Sequence, residues 1–173
     1  MRIERGNRSH GVALRTFACA REGVWYEEEV QTFIRDVLAP QLTAGTYQGM
    51  TLVFVEDDTP IGVSAHYSRL YASMSDGDGI TASYIEAMAI ATGHQGSIQP
   101  DGTSLSTTIL NATVRDCLRV TGRERAVVGL VAEENRRMRA VLSRLGFQED
   151  LVLELRPSLL GGLKPYLWVD QRF

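Results

Sequence analysis

Residues 126–147 restrict the possible folds of this chain more than any other stretch. Ala126-Val-Val-Gly-Leu-Val-Ala132 is an unbroken apolar run of strand length and predicts a buried strand. Asn135 then opens a short helix in which Met138, Val141, Leu142 and Leu145 recur at spacings of 3, 4 and 7. Asparagine suits the N-cap of such a helix. Gly146 stands where a left-handed C-cap is wanted, and Phe147 can pack back on the last turn. A buried strand followed by a short amphipathic helix implies an α/β arrangement.

The remaining elements extend that pattern. Val12–Cys19 alternates enough to predict a first strand. A helix is expected from Val24 to just before Pro40, with Val30, Phe33, Ile34, Val37 and Leu38 on its apolar face. Glu27, Glu28 and Glu29 complement its N-terminal dipole. Gln41–Met50 reads as a second short helix or a loop, with Gly45 near an ending. Thr51–Val55, the turn Glu56–Pro60 and Ile61–Tyr67 predict an antiparallel hairpin. Ala72–Ser83 reads as an exposed loop, and Tyr84–Ala91 as a fourth strand in which Glu86 is the one carboxylate. A glycine-bearing loop, Thr92–Thr103, leads into a helix from about Ser104 to Val120. Its apolar side carries Leu110, Val114, Cys117 and Leu118, with Gly122 as a stop. Phe147–Leu155 and Tyr166–Val169 are the last strand candidates. A helical crossover between the fourth and fifth strands requires that these two run parallel.

Length and charge narrow the function classes. At 173 residues the chain fits one domain, 1–173, with a sizeable core. A net charge of −3 gives no global attraction to nucleic acid or an anionic membrane, so neither is expected as a partner. No apolar run approaches the roughly 20 residues that span a bilayer, and the N-terminal segment lacks the apolar core of a signal peptide. Two cysteines, Cys19 and Cys117, make no disulfide framework, which points to a reducing cytoplasm. Cys117 reads as a small buried hydrophobe. His10, His66 and His94 show no metal-ligand spacing, so no metal is expected.

The strand, Asn135-led helix and Gly146-Phe147 stop, together with the element order, resemble the GNAT superfamily of N-acetyltransferases, which use acetyl-CoA. The resemblance covers nearly the whole chain. It implies an α/β (α+β) fold, a mixed sheet of about six to seven strands with helices on both faces. It also implies acetyl transfer to a primary amine by direct attack in a ternary complex. The acceptor would be a small-molecule or peptide amine, and the enzyme a monomer or homodimer.

The family seats the acetyl-CoA pyrophosphate on a glycine-rich turn of the form Q/R-x-x-G-x-G/A before the helix that follows the fourth strand. Amides at a helix N-terminus point at an anion, and small residues let it approach. Two placements fit. Gln99-Pro-Asp-Gly102-Thr103-Ser104 has the spacing if serine replaces the last small residue. Alternatively His94-Gln95-Gly96-Ser97 begins the turn, Ile98–Asp101 is an insertion, and Ser104-Leu105-Ser106 takes the Gly-x-Gly place. Without the resemblance, Asp101-Gly102 is a tight turn and Ser104 or Ser106 caps a helix.

The family's fourth strand also offers main chain to the pantetheine and thioester, which here falls on Met88, Ala89 and Ile90, with an Ala89 amide polarising the carbonyl. Glu86 is the candidate general base, or else a solvated or ion-paired carboxylate. His66 could face the cleft, although a structural histidine is the simpler reading, and His94 reads as loop surface. Asn135 would line the cofactor side, a role compatible with capping. Arg136, Arg137 and Arg139 read as a solvated face, and Asp76 and Asp78 could draw a cationic acceptor. Many relatives place a tyrosine acid seven residues after the asparagine, where this chain has Leu142. That departure supports an alternative, a non-catalytic module on the same fold that binds a CoA-type ligand or a protein partner.

Overall fold

The computed structural model describes residues 1–73, 79–121, 126–149 and 163–169. A seven-stranded sheet runs in the order β1-β2-β3-β4-β5-β7-β6. Its strands are β1 (Arg2–Arg5), β2 (Met50–Glu56), β3 (Thr59–Ser73), β4 (Gly79–Ile90), β5 (Ala126–Ala132), β6 (Gln148–Glu149) and β7 (Leu163–Val169). The helices are α1 (Arg8–Leu14), α2 (Trp25–Thr32), α3 (Ala39–Ala44), α4 (Leu105–Thr121) and α5 (Arg136–Arg144). The mixed sheet and the α/β class are those expected. Residues group into two compact units, Met1–His66 with Ala87–Leu110, and Tyr67–Glu86 with Asn111–Phe173.

In the first unit β1 and β3 flank β2 in antiparallel pairing. The hairpin turn Glu56–Thr59 puts both Asp57 (φ 46°) and Asp58 (φ 61°) in the left-handed region, the backbone demanded when a two-residue loop must match the strand twist. Successive strand residues face opposite sides. Val53, Val55, Val63, Ala65, Ala87 and Ala89 meet a cluster with Leu14, Ile34, Leu38, Ala39 and Leu42 from the α1–α3 region. The intervening Phe54 and Gly62 face Ile109 of α4, so helices cover both faces here. In the second unit β4 and β5 pair in parallel through Ser83↔Val127, Tyr84↔Val128 and Ile85↔Gly129, as the crossover required. β5 continues to Ala132 and pairs along its whole length with β7, which also holds β6. Ala82, Ala126, Val128 and Leu167 form its apolar cluster.

Several expectations are corrected. Val12–Cys19 is not a strand: Asn7 caps α1 by accepting from the Ser9 and His10 amides, and Val12 points out while Leu14 is buried. The first strand is Arg2–Arg5 instead. The helix begun at Trp25 does not end before Pro40. It passes through a π-helical turn, Phe33–Leu38, in which the Ala39 amide donates to the carbonyl of Ile34, and continues as α3. Proline has no amide to donate and its ring crowds the carbonyl four residues back, so a locally widened turn relieves both problems. The helix stops at Gly45, whose φ of 73° makes it a left-handed cap. Ala72–Ser83 is largely strand, because β3 reaches Ser73 and β4 starts at Gly79. Gly122, Asp76, Asp78 and most of the Phe147–Leu155 strand lie outside the described residues.

Candidate functional site

Most of the proposed cofactor residues fall in the first unit, between the end of β4 and the first turn of α4. The Ala91 amide donates to the Ile61 carbonyl at 2.9 Å, which ties the end of β4 to β3. Thr92 donates to the Ala18 carbonyl at 2.9 Å and begins a 3₁₀ turn, Thr92–His94. The side chain of Gln95 reaches back: its Nε2 donates to the Cys19 carbonyl at 2.7 Å and approaches the Ile90 carbonyl at 3.5 Å. On the other side of Cys19, Gln31 Oε1 accepts from the Cys19 amide at 2.9 Å and the Ala20 amide at 3.1 Å. Two glutamines thus hold one peptide from both sides, a connection with no local sequence pattern to announce it. The Cys19 thiol is buried, and that burial, aided by the charge of Glu27, pushes its pKa up to about 12. It is an inert thiol, not a nucleophile.

Beyond Gln95, the Leu105 amide donates to the Ser97 carbonyl at 3.0 Å, and Ile98 bridges Ser104. Residues 98–104 therefore form a closed excursion, with Gln99 donating to the Thr103 carbonyl at 2.8 Å and Gly102 to the Gln99 carbonyl at 2.9 Å. Gly102 (φ 83°) and Gly96 (φ 82°) are both left-handed with open space where a Cβ would stand, so conformation and not crowding calls for glycine. The Thr103 amide goes to Asp101 Oδ1 at 2.8 Å, and the Thr107 amide goes to Ser104 Oγ at 3.2 Å. Asp101-Gly102 makes a tight turn and Ser104 caps α4, as the residues alone suggested. Ser104 Oγ also lies 3.0 Å from Ser106 Oγ and 2.8 Å from Thr107 Oγ1. The helix entrance therefore presents three clustered hydroxyls. Among the described residues, the Ser106 amide has no backbone acceptor. Upstream, Ala89 faces the apolar cluster and Met88 lies on the opposite side of β4, half-buried.

In the second unit, Glu86 is half-buried on β4, on the same face as Tyr84. Burial, followed by the charge of Glu86, raises the Tyr84 hydroxyl to about 12. Asn135 Oδ1 accepts from the Met138 amide at 3.1 Å, which is the N-cap expected of it, and Gly146 closes the helix at φ 85°. Leu142 is 3% exposed and packs inward from α5. Among the described residues no set of three or more His, Cys, Asp or Glu side chains is gathered as for a metal ion. No described helix is long and apolar enough to cross a membrane.

No protein-family profile matches the chain, and no curated protein is similar to it in sequence. Solved structures are similar in fold. One is a GNAT-family acetyltransferase described as putative, from Desulfovibrio desulfuricans, with a TM-score of 0.62 at 16% identity, covering 97% of this chain and 98% of that one. The KacTA–DNA complex superposes with a TM-score of 0.64 at 16% identity, covering 97% and 92%. A variant of the AtaT toxin bound to the C-terminus of the antitoxin AtaR and to acetyl-CoA gives 0.58 at 15% identity, covering 97% and 92%.

These structures correct the expectation of a small-molecule or peptide acceptor with no nucleic-acid partner, since similar folds are found in complex with DNA and with an antitoxin. The error was to let a net charge of −3 stand for the whole surface. A sum governs long-range attraction of the bare chain, whereas recognition is local and a bound partner can bring its own basic surface. The chain has the fold of the GNAT-superfamily acetyltransferases.

Proposed function

We propose that this chain is an acetyl-CoA-dependent N-acetyltransferase, one domain over residues 1–173, that transfers an acetyl group to a primary amine by direct attack. The observation that carries the reading is the unit formed by the end of β4, the glycine-bearing loop and the seventeen-residue helix α4. The Ser97–Leu105 hydrogen bond closes residues 98–104 into an excursion. This favours the alignment in which Gln95-Gly96-Ser97 begins the turn and Ser104-Leu105-Ser106 completes it. The pyrophosphate would take the Ser106 amide and the hydroxyls of Ser104, Ser106 and Thr107, and Ser104 would give up its cap to Thr107. Gln99, Gly102 and Thr103 would shape the excursion beside it. Fixed hydroxyl and amide donors at a helix N-terminus suit an anion.

Three steps follow for the chemistry. The main chain of Met88, Ala89 and Ile90 would hold the pantetheine and thioester, with the Ala89 amide donating to the carbonyl oxygen as negative charge develops there. Glu86 takes a proton from the substrate ammonium directly or through water, which frees the nitrogen lone pair. The amine nitrogen then bonds to the carbonyl carbon, and the C–S bond breaks as the adduct collapses. The nitrogen gives its second proton to solvent while the CoA thiolate is protonated from solvent, because Leu142 has no proton to give. Asn135 would line the cofactor side while capping α5.

Glu86→Gln removes the base but keeps the shape. At neutral pH its CoA-thiol release with amine acceptors should fall by about 100-fold or more while acetyl-CoA affinity by calorimetry is kept. Undiminished turnover would exclude Glu86. The buried Leu142 favours a second reading, a non-catalytic module that binds a CoA-type ligand or a protein partner. Calorimetric binding of acetyl-CoA with no thiol release from any amine, free or carried on a macromolecule, would select it.

A further inference from the structure

A separate concavity of about 670 Å³ lies in the second unit between α5 and the strands β6 and β7. It is a shallow depression open to solvent along one side, a shape that an extended stretch of chain can lie across. Two almost fully buried rings underlie it: Phe147 is 3% exposed and Tyr166 4% exposed, and Phe147 leans on Trp168 with ring centres 6.5 Å apart. One wall is an ionic network. Tyr166 Oη accepts from Arg139 Nε at 2.7 Å and donates to Glu149 Oε2 at 3.1 Å. Arg139 also reaches Glu149 at 3.2 Å and donates to the Glu133 carbonyl at 3.1 Å. Lys164 Nζ lies 3.1 Å from Glu149 and 3.2 Å from Glu133.

The charges of that network cancel. Arg139 and Lys164 supply two positive charges, and Glu149 and Glu133 supply two negative ones. The Lys164 hydrogen bond, with help from Tyr166 and Arg139, holds Glu149 below the usual carboxylate range, so it stays ionised. Arg139 spends its donors on Tyr166, Glu149 and the Glu133 carbonyl. Arg136, on the same wall, has no ion pair or side-chain hydrogen bond among the described residues. One uncompensated guanidinium therefore faces a pocket whose other charges are matched.

We infer that this pocket binds an extended acidic segment of a partner polypeptide, a carboxylate of which pairs with Arg136. A guanidinium presents a fork of donors that matches a carboxylate. Ser143, seven residues further along α5, stands about 10.5 Å away along the helix axis at 1.5 Å per residue. Three residues of extended chain cover about the same length, so a carboxylate at Arg136 brings the backbone to the hydroxyl of Ser143. Among the described residues β6, which carries Gln148 and Glu149, is the last strand of the sheet, and an extended segment can lie along such an edge. A nucleic-acid strand fits worse. It brings a charge at every nucleotide against a single unmatched cation, and it must pass the Glu149 carboxylate.

The test uses the full chain and a fluorescein-labelled hexaglutamate peptide, followed by fluorescence anisotropy at low salt. Wild type should bind hexaglutamate and ignore hexalysine. Arg136→Glu should weaken binding at least tenfold with an unchanged melting curve. Arg137→Glu makes the same change of charge on the neighbouring residue, which does not line the pocket, and should bind as wild type does. Equal losses in the two variants would overturn the inference, because they would mark diffuse attraction to a basic helix. No binding by wild type would also overturn it. So would tighter binding of a twelve-nucleotide single-stranded RNA that is lost in Arg136→Glu, which would assign the pocket to phosphate.

Discussion

Gly62 of β3 can be used to test how α4, and with it the proposed phosphate-binding turn, is held on the sheet. A Cβ built on Gly62 would lie 2.5 Å from Ile109 Cδ1, 3.4 Å from the Ala89 carbonyl oxygen and 3.5 Å from Phe54 Cβ. Carbon atoms pack best at about 3.5–4.0 Å, so in Gly62→Ala the Ile109 methyl must withdraw by about 1 Å. Ile109 and Phe54 are fully buried, which leaves the methyl no solvent to enter. Overpacking of this kind costs about 1–3 kcal/mol, partly offset by about 0.5–1 kcal/mol because alanine suits a strand better than glycine. The expected net loss is about 1–2 kcal/mol. Ile109→Val alone removes the clashing methyl group at a cost of about 0.5–1.5 kcal/mol. The double variant should therefore be no less stable than Ile109→Val, with a favourable coupling of about 1 kcal/mol or more. Urea unfolding followed by circular dichroism measures all four proteins. Acetyl-CoA affinity should fall in Gly62→Ala and recover in the double variant. Strictly additive losses would refute the proposed contact between Gly62 and Ile109.

Three further outcomes follow from named contacts. In Gly11→Ala the new Cβ would meet the Thr43 amide nitrogen and Oγ1 at 2.6 Å and the Ala39 carbonyl at 2.7 Å. Backbone atoms cannot rotate aside, so the loss should reach about 3 kcal/mol in a denaturant titration. Asn135→Ala removes the cap on the Met138 amide and should cost about 1 kcal/mol, whereas Asn135→Ser should keep most of that stability. An acetyl-CoA affinity that falls in Asn135→Ser would separate a ligand contact from capping. Glu149 has its pKa lowered in the folded state, chiefly by the Lys164 hydrogen bond, from the ordinary 4.5. Its contribution is therefore present above that value and is lost as pH falls through the lower folded value. Melting temperatures of Glu149→Gln should accordingly decline less steeply than those of wild type below about pH 4.5.

The sequence made residues 126–147 legible because each of their determinants is local. The apolar run of β5, the Asn135 cap, the helical spacing of Met138, Val141 and Leu142, and the left-handed Gly146 each act within a few residues. The failures came where a distant contact decides. Val12–Cys19 has strand-like alternation, but Gly11 lets α1 approach α3 at Ala39 and Thr43, and the Asn7 cap starts a helix just before it. Pro40 would break an ordinary helix, and only the wider turn at Phe33–Leu38 lets the chain through. No spacing rule signals that turn, because it depends on where the carbonyls must go.

The candidate site divides along the same line. A phosphate-binding turn is made of main chain, and its sequence trace is only small residues with hydroxyls. The same residues serve equally well to cap a helix, which is what Ser104 does for Thr107. The two uses compete for one oxygen, so they can be separated by experiment. Ser104→Ala removes the Oγ that caps the Thr107 amide, but keeps the backbone and leaves the Ser106 amide untouched. If Ser104 serves only as a cap, the variant should lose about 1 kcal/mol of stability and no acetyl-CoA affinity. If its hydroxyl turns to a phosphate, as proposed, acetyl-CoA affinity by calorimetry should drop by about tenfold, the loss expected for one hydrogen bond to a charged group.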